Sequence, residues 1–406
     1  MSIFGTIYNG TSGLLTYAKG LDVISNNVAN LNTAGFKRND LLFRDLFYQY
    51  KLTGDAGGDP NSGRYGNGVC SGGTTTSFTQ GDIQQTGNPT DAAIDGNGFF
   101  ILRNGEEVLY SRVGQFSFDE NNYLVSSANG ARVAGVDSSG ALVDISIAGL
   151  GGNPANATTE VTFMNNLSPG STGHVVDNIE VFDALGNIHQ LTLTLTNNSS
   201  ETPGSWLAEI ENENGDVIST GNEIRFQGNG SPEEGFNSFN FTFEPEDADA
   251  VQINFFFGEP GSFSGVTSFS AGTNSDMAVA SQDGYTFGAQ TRVSFNRDGT
   301  LEIEYSNGQS VESGRLALAW TRNLQAMQQI GNGLFTIGSA GQMKIYSAND
   351  SGMGEIVAES VEISNVELSQ EFTDLVIVQR GYQVSSQIVS IANEMLQQLI
   401  EGMGSR

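Results

Sequence analysis

The stretch "GLLTYAKGLDVISNNVANLNTAGFKR", Gly13 to Arg38, decides the fold. Written in sevens with the residues before it, Ile7, Leu14, Leu21 and Val28 share one position. Ile3, Gly10, Tyr17, Ile24 and Leu31 take the position three further on. That is the a/d seam of a coiled coil, with mostly polar or small residues elsewhere. The spacing predicts a helix that stops between Asn30 and Gly35, because Asn and Gly tolerate the left-handed backbone that ends helices. At ~1.5 Å per residue it is about 45 Å long.

The other end of the chain carries a second stripe. From Leu368, "LSQEFTDLVIVQRGYQVSSQIVSIANEMLQQLIEG" puts Leu368, Leu375, Tyr382, Val389 and Leu396 in one register and Val378, Ser385, Ala392 and Leu399 in the other. Ser369 is expected to cap this helix, with Glu371 and Asp374 near the positive end of its dipole. Each stripe needs a partner. Two readings follow: the helices pair inside one globular monomer, or they pair and then pack against copies of themselves, and the second is preferred.

At 406 residues the chain has room for two or three domains. Gly 52 and Phe 25 against Pro 8, with Lys+Arg only 17, describe a β-rich, turn-rich soluble protein. A net charge of -29 argues against nucleic acid or an anionic membrane as partner, since both select basic surfaces. No run approaches the roughly 18 apolar residues of a membrane span. The single cysteine, Cys70, excludes an intrachain disulfide framework. The opening "MSIFGTIYNG" lacks a basic region followed by an apolar core, which predicts the cytoplasm or an export route without a cleaved signal.

Between the helices the chain reads as strands and turns. "TGDAGGDPNSGRYGNGV", Thr53 to Val69, reads as a flexible connector or long hairpin. Period-two runs follow, with turns at Asn104-Gly105 and Asn129-Gly130, and again late in the chain at Asp298-Gly299 and Asn307-Gly308. From Ile145 to Gly284 there are 19 acidic residues and one base, Arg225, a net -18 against -11 for all the rest. So sharp a shift marks a domain boundary, and strands such as "NIEVFDALGNIHQLTLTLT" make the segment all-β. The expected organisation is a coiled-coil-like inner domain from residues 1–35 and 366–406 and a Gly-rich connector over 36–70. A discontinuous β-domain covers 71–144 and 285–365 and carries an inserted acidic outer β-domain over 145–284. The fold class is mostly β with paired terminal helices.

Catalytic patterns are lacking. His174 and His189 read as exposed strand or turn positions and have no metal-ligand spacing. Cys70 reads as part of a flexible Gly-rich setting without a basic neighbour to activate it. "YGNGVCSGG" lacks the Lys-Ser/Thr of a phosphate loop, and "EPEDADA" lacks the alternating ligands and central Gly of the calcium loop. No enzyme activity, cofactor or metal is expected.

"SGLLTYAKGLDVISNNVANLNTAGFKR" resembles the amino-terminal signature of the bacterial flagellar rod and hook axial proteins, and "ISNVELSQEFTDLVIVQRGYQVSSQIVSIANEMLQQL" their carboxy-terminal one. Rod members are generally much shorter. "QDGYTFGAQTRVSFNRDGTLEIEYSNGQ", Gln282 to Gln309, looks like the corresponding part of the hook members. One departure stands out: "LALAWTRNLQAMQQIGNGLF" has no proline where the family usually has one, which leaves the turn after Trp320 open.

The resemblance implies a structural subunit of the extracellular flagellar hook, exported unfolded without a cleaved signal. Such subunits polymerise into a curved hollow tube, a universal joint that passes motor torque to the filament. It implies copies of the chain, the rod, the hook cap, the hook–filament junction and the type III export apparatus as partners. The alternatives are a distal rod protein or a secreted β-rich adhesin. The terminal heptads become the assembly interface: Ile7, Leu14, Tyr17, Leu21, Ile24, Val28 and Leu31 at one end, Leu368, Leu375, Val378, Tyr382, Val389, Leu396 and Leu399 at the other.

Overall fold

Two helices, α1 (Ile3–Ala29) and α2 (Leu368–Gly404), bracket a chain of strands. The structure, a computed structural model, describes residues 3–50, 64–137, 139–338, 342–350 and 352–404. The chain forms two compact units: unit 1 from residues 1–148, 293–302 and 312–406, and unit 2 from residues 149–292 and 303–311.

Unit 1 holds both helices and a β-region. The strand Phe99–Asn104 turns through Asn104-Gly105, with Gly105 at φ +66°, and pairs with Glu107–Ser111. A left-handed φ at this tip is what glycine supplies without steric cost. Phe99–Asn104 also pairs with Arg132–Val136, and Glu107–Ser111 with Leu334–Ile337. The core over this sheet collects Phe99, Ile101, Tyr110, Phe335, Met327 and three alanines, with Phe78 and Trp320 at its edge. After Trp320 the chain needs no proline. The Thr321 hydroxyl accepts from the Asn323 amide at 3.3 Å, and a 3-10 turn, Leu324–Ala326, leads into the strand Met327–Gly331.

Of the Gly-rich stretch, residues 51–63 lie outside the described residues. Its flanks form an antiparallel ladder, Asn39–Asp45 against Val69–Thr76, with a register shift between Leu41 and Phe43. Cys70 is therefore a half-buried strand residue whose register partner is Arg44, and the expected flexible setting is corrected. The pairing brings the two together from 26 positions apart, which short-range reading of the sequence misses.

Unit 2 is a sandwich. One sheet is the meander Gly173–Phe182, Ile188–Asn197, Ser205–Glu211 and Val217–Arg225. The other holds Ser238–Phe243, Val251–Phe256 and Glu160–Asn166, the last running parallel to Val251–Phe256. Along Ile188–Asn197, Leu191, Leu193 and Leu195 are fully buried and alternate with threonines, as a pleated strand with one core face requires. They meet Trp206, Phe163, Phe255 and Phe257, with the Phe163 and Phe257 rings stacked at 5.0 Å. Each such side chain contributes about 1.5–3 kcal/mol by leaving water.

Neither histidine is free. His174 Nε2 bonds the Met277 carbonyl at 2.8 Å and His189 Nε2 lies 3.2 Å from Asp183 Oδ2, both rings half-buried. The expectation of exposed positions is corrected, since the Met277 carbonyl holds one ring and the Asp183 carboxylate the other. Among the described residues no cluster of His, Cys, Asp and Glu is arranged to hold a metal ion, and no helix is long and apolar enough to cross a membrane.

Candidate functional site

The paired termini are the candidate site. α1 has 27 residues and α2 has 37, about 40 Å and 55 Å at ~1.5 Å per residue. α1 ends at Ala29, and the chain turns with Gly35 at φ +65°. A Cβ at Gly35 would also stand 2.7 Å from Val113 Cγ2, so both backbone and packing select glycine. α2 starts at Leu368, so Ser369 is a first-turn residue and not the cap; its carbonyl accepts from the Thr373 hydroxyl at 2.9 Å.

The seam between the helices is narrower than a leucine seam and rotated from it. α1 buries Gly10, Gly13, Thr16, Gly20, Ile24 and Asn27. α2 buries Glu371, Val378, Ser385 and Ala392, one residue per heptad. A Cβ at Gly10 would fall 2.7 Å from Val389 Cγ2, one at Gly13 2.7 Å from Ser385 Oγ, and one at Gly381 2.5 Å from Tyr17 Cζ. The glycines let the backbones approach to a distance that larger residues forbid.

The sequence-predicted residues are consequently spread around the pair. Ile24 and Val378 are buried in the seam. Ile7, Leu14, Tyr17, Leu21, Val28, Leu31, Leu375, Val389 and Leu396 are half-buried. Leu368, Tyr382 and Leu399 are exposed, at 41%, 41% and 50%. At 3.6 residues per turn, Ile7, Leu14, Leu21 and Val28 lie roughly a quarter turn from the seam's centre. Sequence reasoning missed Gly13, Gly20 and Gly381; the recurrence of small residues three and seven apart was the available signal.

Large apolar side chains face outward instead. On α1, Phe4, Tyr8 and Leu15 are 72%, 59% and 65% exposed, on the side away from the seam. On α2, Ile377, Val384, Ile388, Ile391, Met395 and Leu399 form an exposed stripe along one flank. Ile3, Thr6, Ile388, Ile391, Ala392 and Met395 line an apolar groove between the far ends of the two helices.

Below α1 the basic pair Lys37-Arg38 is absorbed by acids of the C-terminal arm. Arg38 Nε lies 3.0 Å from Glu371 Oε1, and its Nη2 reaches Asp40 at 2.7 Å and Asp374 at 3.2 Å. Asn27 Nδ2 donates to the Asn39 carbonyl at 2.8 Å and to the Glu371 carboxylate at 3.3 Å. Burial pushes the Glu371 carboxyl above the usual carboxylate range, although Asn27 and Arg38 oppose it. Lys37 Nζ sits 2.5 Å from Glu362 Oε1 and donates to the Thr79 carbonyl at 2.8 Å. Burial holds the Lys37 amine below its ordinary value against the attraction of Glu362.

The fold and this site define a class: β-rich chains whose two termini meet as a helical pair. Residues 7–37 match the family described as Flagella basal body rod protein and residues 357–401 the Flagellar basal body rod FlgEFG protein C-terminal. Residues 93–175 match the Flagellar hook protein FlgE/F/G D1 domain. These matched segments are similar to the flagellar rod and hook axial proteins. It is 29% identical over 438 residues to the flagellar hook protein FlgE of Borreliella burgdorferi, covering 97% of this chain and 98% of that one. It is also 29% identical to the hook proteins FlgE of Treponema pallidum, over 462 residues, and Escherichia coli, over 419, with 96% of this chain and 98% of theirs covered in both cases. The fold is similar to the crystal structure of Helicobacter pylori flagellar hook protein FlgE2, with a TM-score of 0.51 at 12% identity, over 69% of this chain and all of that one.

Proposed function

We propose that the chain is a structural subunit of the bacterial flagellar hook, not an enzyme, and that its paired termini hold a helical polymer of copies of itself. The observation that carries this reading is the outward apolar surface of the helix pair. α1 exposes Phe4, Tyr8 and Leu15 on one side and α2 exposes its stripe on another, so the two faces are different surfaces of one element. Contacts between unlike surfaces propagate from copy to copy into rings or open helices, where like-to-like contacts would close a dimer. The full-length match to hook proteins, unit 2 included, favours a hook over a rod subunit.

On this reading the polymer is a curved hollow tube, a universal joint outside the cell that carries torque to the filament. Its further partners are the rod, the hook cap, the hook–filament junction and the type III export apparatus. Residues 145–284, with most of the acidic charge, form the outer domain. The predicted interface residues that are exposed or half-buried in the single chain, such as Leu396 and Leu399, meet neighbouring copies.

The test is Ile391→Asp, a position 52% exposed in the single chain. A charge there stays solvated in the monomer but loses water in the polymer, where an unpaired burial is costly. The exported protein is expected to keep its circular dichroism spectrum and form no hooks under negative-stain microscopy. Normal hooks in that strain would overturn the reading.

A further inference from the structure

The buried charges at the root of the helix pair come from three distant segments, and their balance is asymmetric. Glu362 Oε1 accepts from Lys37 Nζ at 2.5 Å and from the Gly81 amide at 2.9 Å, while Oε2 lies 3.3 Å from Arg112 Nε. Arg112 Nη2 also donates to the Gly96 carbonyl at 2.6 Å. The three side chains are 1%, 0% and 5% exposed, so two cations meet at one buried anion, with Asp95 also acting on Arg112. If the C-terminal arm leaves, Lys37 loses its counter-ion and faces Arg112, which keeps the attraction of Asp95. If the N-terminal arm leaves, Glu362 keeps Arg112 as a neutral pair.

Backbone and amide bonds join the two arms to each other and both to the β-region: the Ser77 amide donates to the Arg38 carbonyl at 2.8 Å and the Asn365 amide to the Phe36 carbonyl at 3.4 Å. The arm at residues 35–38 leans on the C-terminal arm: the Gly35 amide donates to the Glu362 carbonyl at 2.8 Å and the Arg38 amide to Asn365 Oδ1 at 2.8 Å. The C-terminal arm has its own support in the β-region. Ser360–Glu362 pairs with Ile83–Gln85, the Ile363 amide donates to the Asp82 carbonyl at 2.9 Å, and Asn365 Nδ2 donates to the Ser77 and Thr79 carbonyls at 2.9 and 3.0 Å.

We propose that the C-terminal arm is the template on which the N-terminal arm docks, with Glu362 as the group that permits Lys37 to be buried, so that the two ends of the chain close in a fixed order. The N-terminal arm stays undocked until the residues around 362 are in place. α1 then meets α2 only in a chain whose C-terminal arm has already joined the β-region. The order follows from charge balance, and does not rest on what the polymer is.

The experiment uses the full-length chain, with trypsin cleavage after Lys37 or Arg38 reporting the N-terminal arm and hydrogen exchange of residues 360–363 reporting the C-terminal one. Glu362→Gln should speed cleavage at least about tenfold while the β circular dichroism persists. Lys37→Met should leave exchange at 360–363 within about twofold of the parent, because opening of one element reports only what depends on it. Unchanged cleavage in Glu362→Gln, or equal loss of protection in both arms of Lys37→Met, overturns the order. If Glu362→Gln does not fold, Asn365→Ala replaces it, since it removes the acceptor for the Arg38 amide without stranding a charge. Faster cleavage at Arg38 then supports the template, and an unchanged rate overturns it.

Discussion

Unit 2 and the helix pair of unit 1 solve the problem of burial in opposite ways. Unit 2 turns its large side chains inward: Trp206, Phe163, Phe255 and Phe257 are all at most 1% exposed, in a core closed by two sheets. The helix pair puts glycine, serine and alanine at its centre and keeps Phe4, Ile377 and Ile391 outside. The first arrangement is complete in one chain. The second is complete only when something covers its surface, and close approach of two backbones is what holds it until then. A core of large residues marks a part that stands alone, whereas a seam of small ones with apolar flanks marks a part made to be joined.

The largest effect tests the self-contained side. Trp206→Ala opens a cavity in a closed core and should cost about 3–5 kcal/mol. Urea unfolding followed by β circular dichroism measures it. A loss below about 1 kcal/mol would show that unit 2 does not rest on this core.

Next comes the seam. Gly13→Val places a Cβ 2.7 Å from Ser385 Oγ, too close without a shift of the helices. Overpacking of this kind costs roughly 1–3 kcal/mol. The helical signal should melt earlier while the β signal holds, and coincident melting would mean that the two regions are not separable. Ile377→Ser changes a side chain already 61% exposed, so the monomer should move by no more than about 0.5 kcal/mol. Its effect belongs to assembly: a higher critical concentration for polymerisation, read by sedimentation.

These contrasts explain what the sequence disclosed. Period-two runs with Asn-Gly and Asp-Gly tips were plain, because strand pleat and left-handed turns are local properties; Gly105 and Gly299 sit at φ +66° and +80°. The terminal helices were plain from their sevenfold spacing, and α1 ends within a residue of the first position expected. The seam was legible in part. Gly10, Ile24, Val378, Ser385 and Ala392 stand in the registers that the spacing gives and are buried, whereas Gly13 and Gly20 were passed over and Leu21 only flanks them. The roles of Lys37, Arg38, Glu362 and Glu371 were hidden for another reason. Lys37 and Glu362 stand 325 positions apart and Asn27 and Glu371 344, and no local pattern specifies such a pairing.

The smallest effect probes the one buried carboxylate in the seam. Glu371 is 1% exposed, accepts from Asn27 and faces Arg38, with Asp374 and Asp40 adding repulsion. Burial is the largest influence, and the carboxyl's pKa in the folded chain is raised above its unfolded value of 4.5. A group so shifted binds more protons folded than unfolded between those two values, so its contribution to stability is full at low pH and falls as pH rises through that window. Gln at this position cannot titrate and escapes the fall. Glu371→Gln should therefore gain on the parent as pH rises from about 4 to about 7, by less than about 1 kcal/mol as for a single mild substitution. Urea midpoints of the helical signal at the two pH values, for both proteins, give the comparison. If the parent gains on the variant instead, the bond to Arg38 outweighs the cost of burial, and the seam is held by charge as well as by glycine.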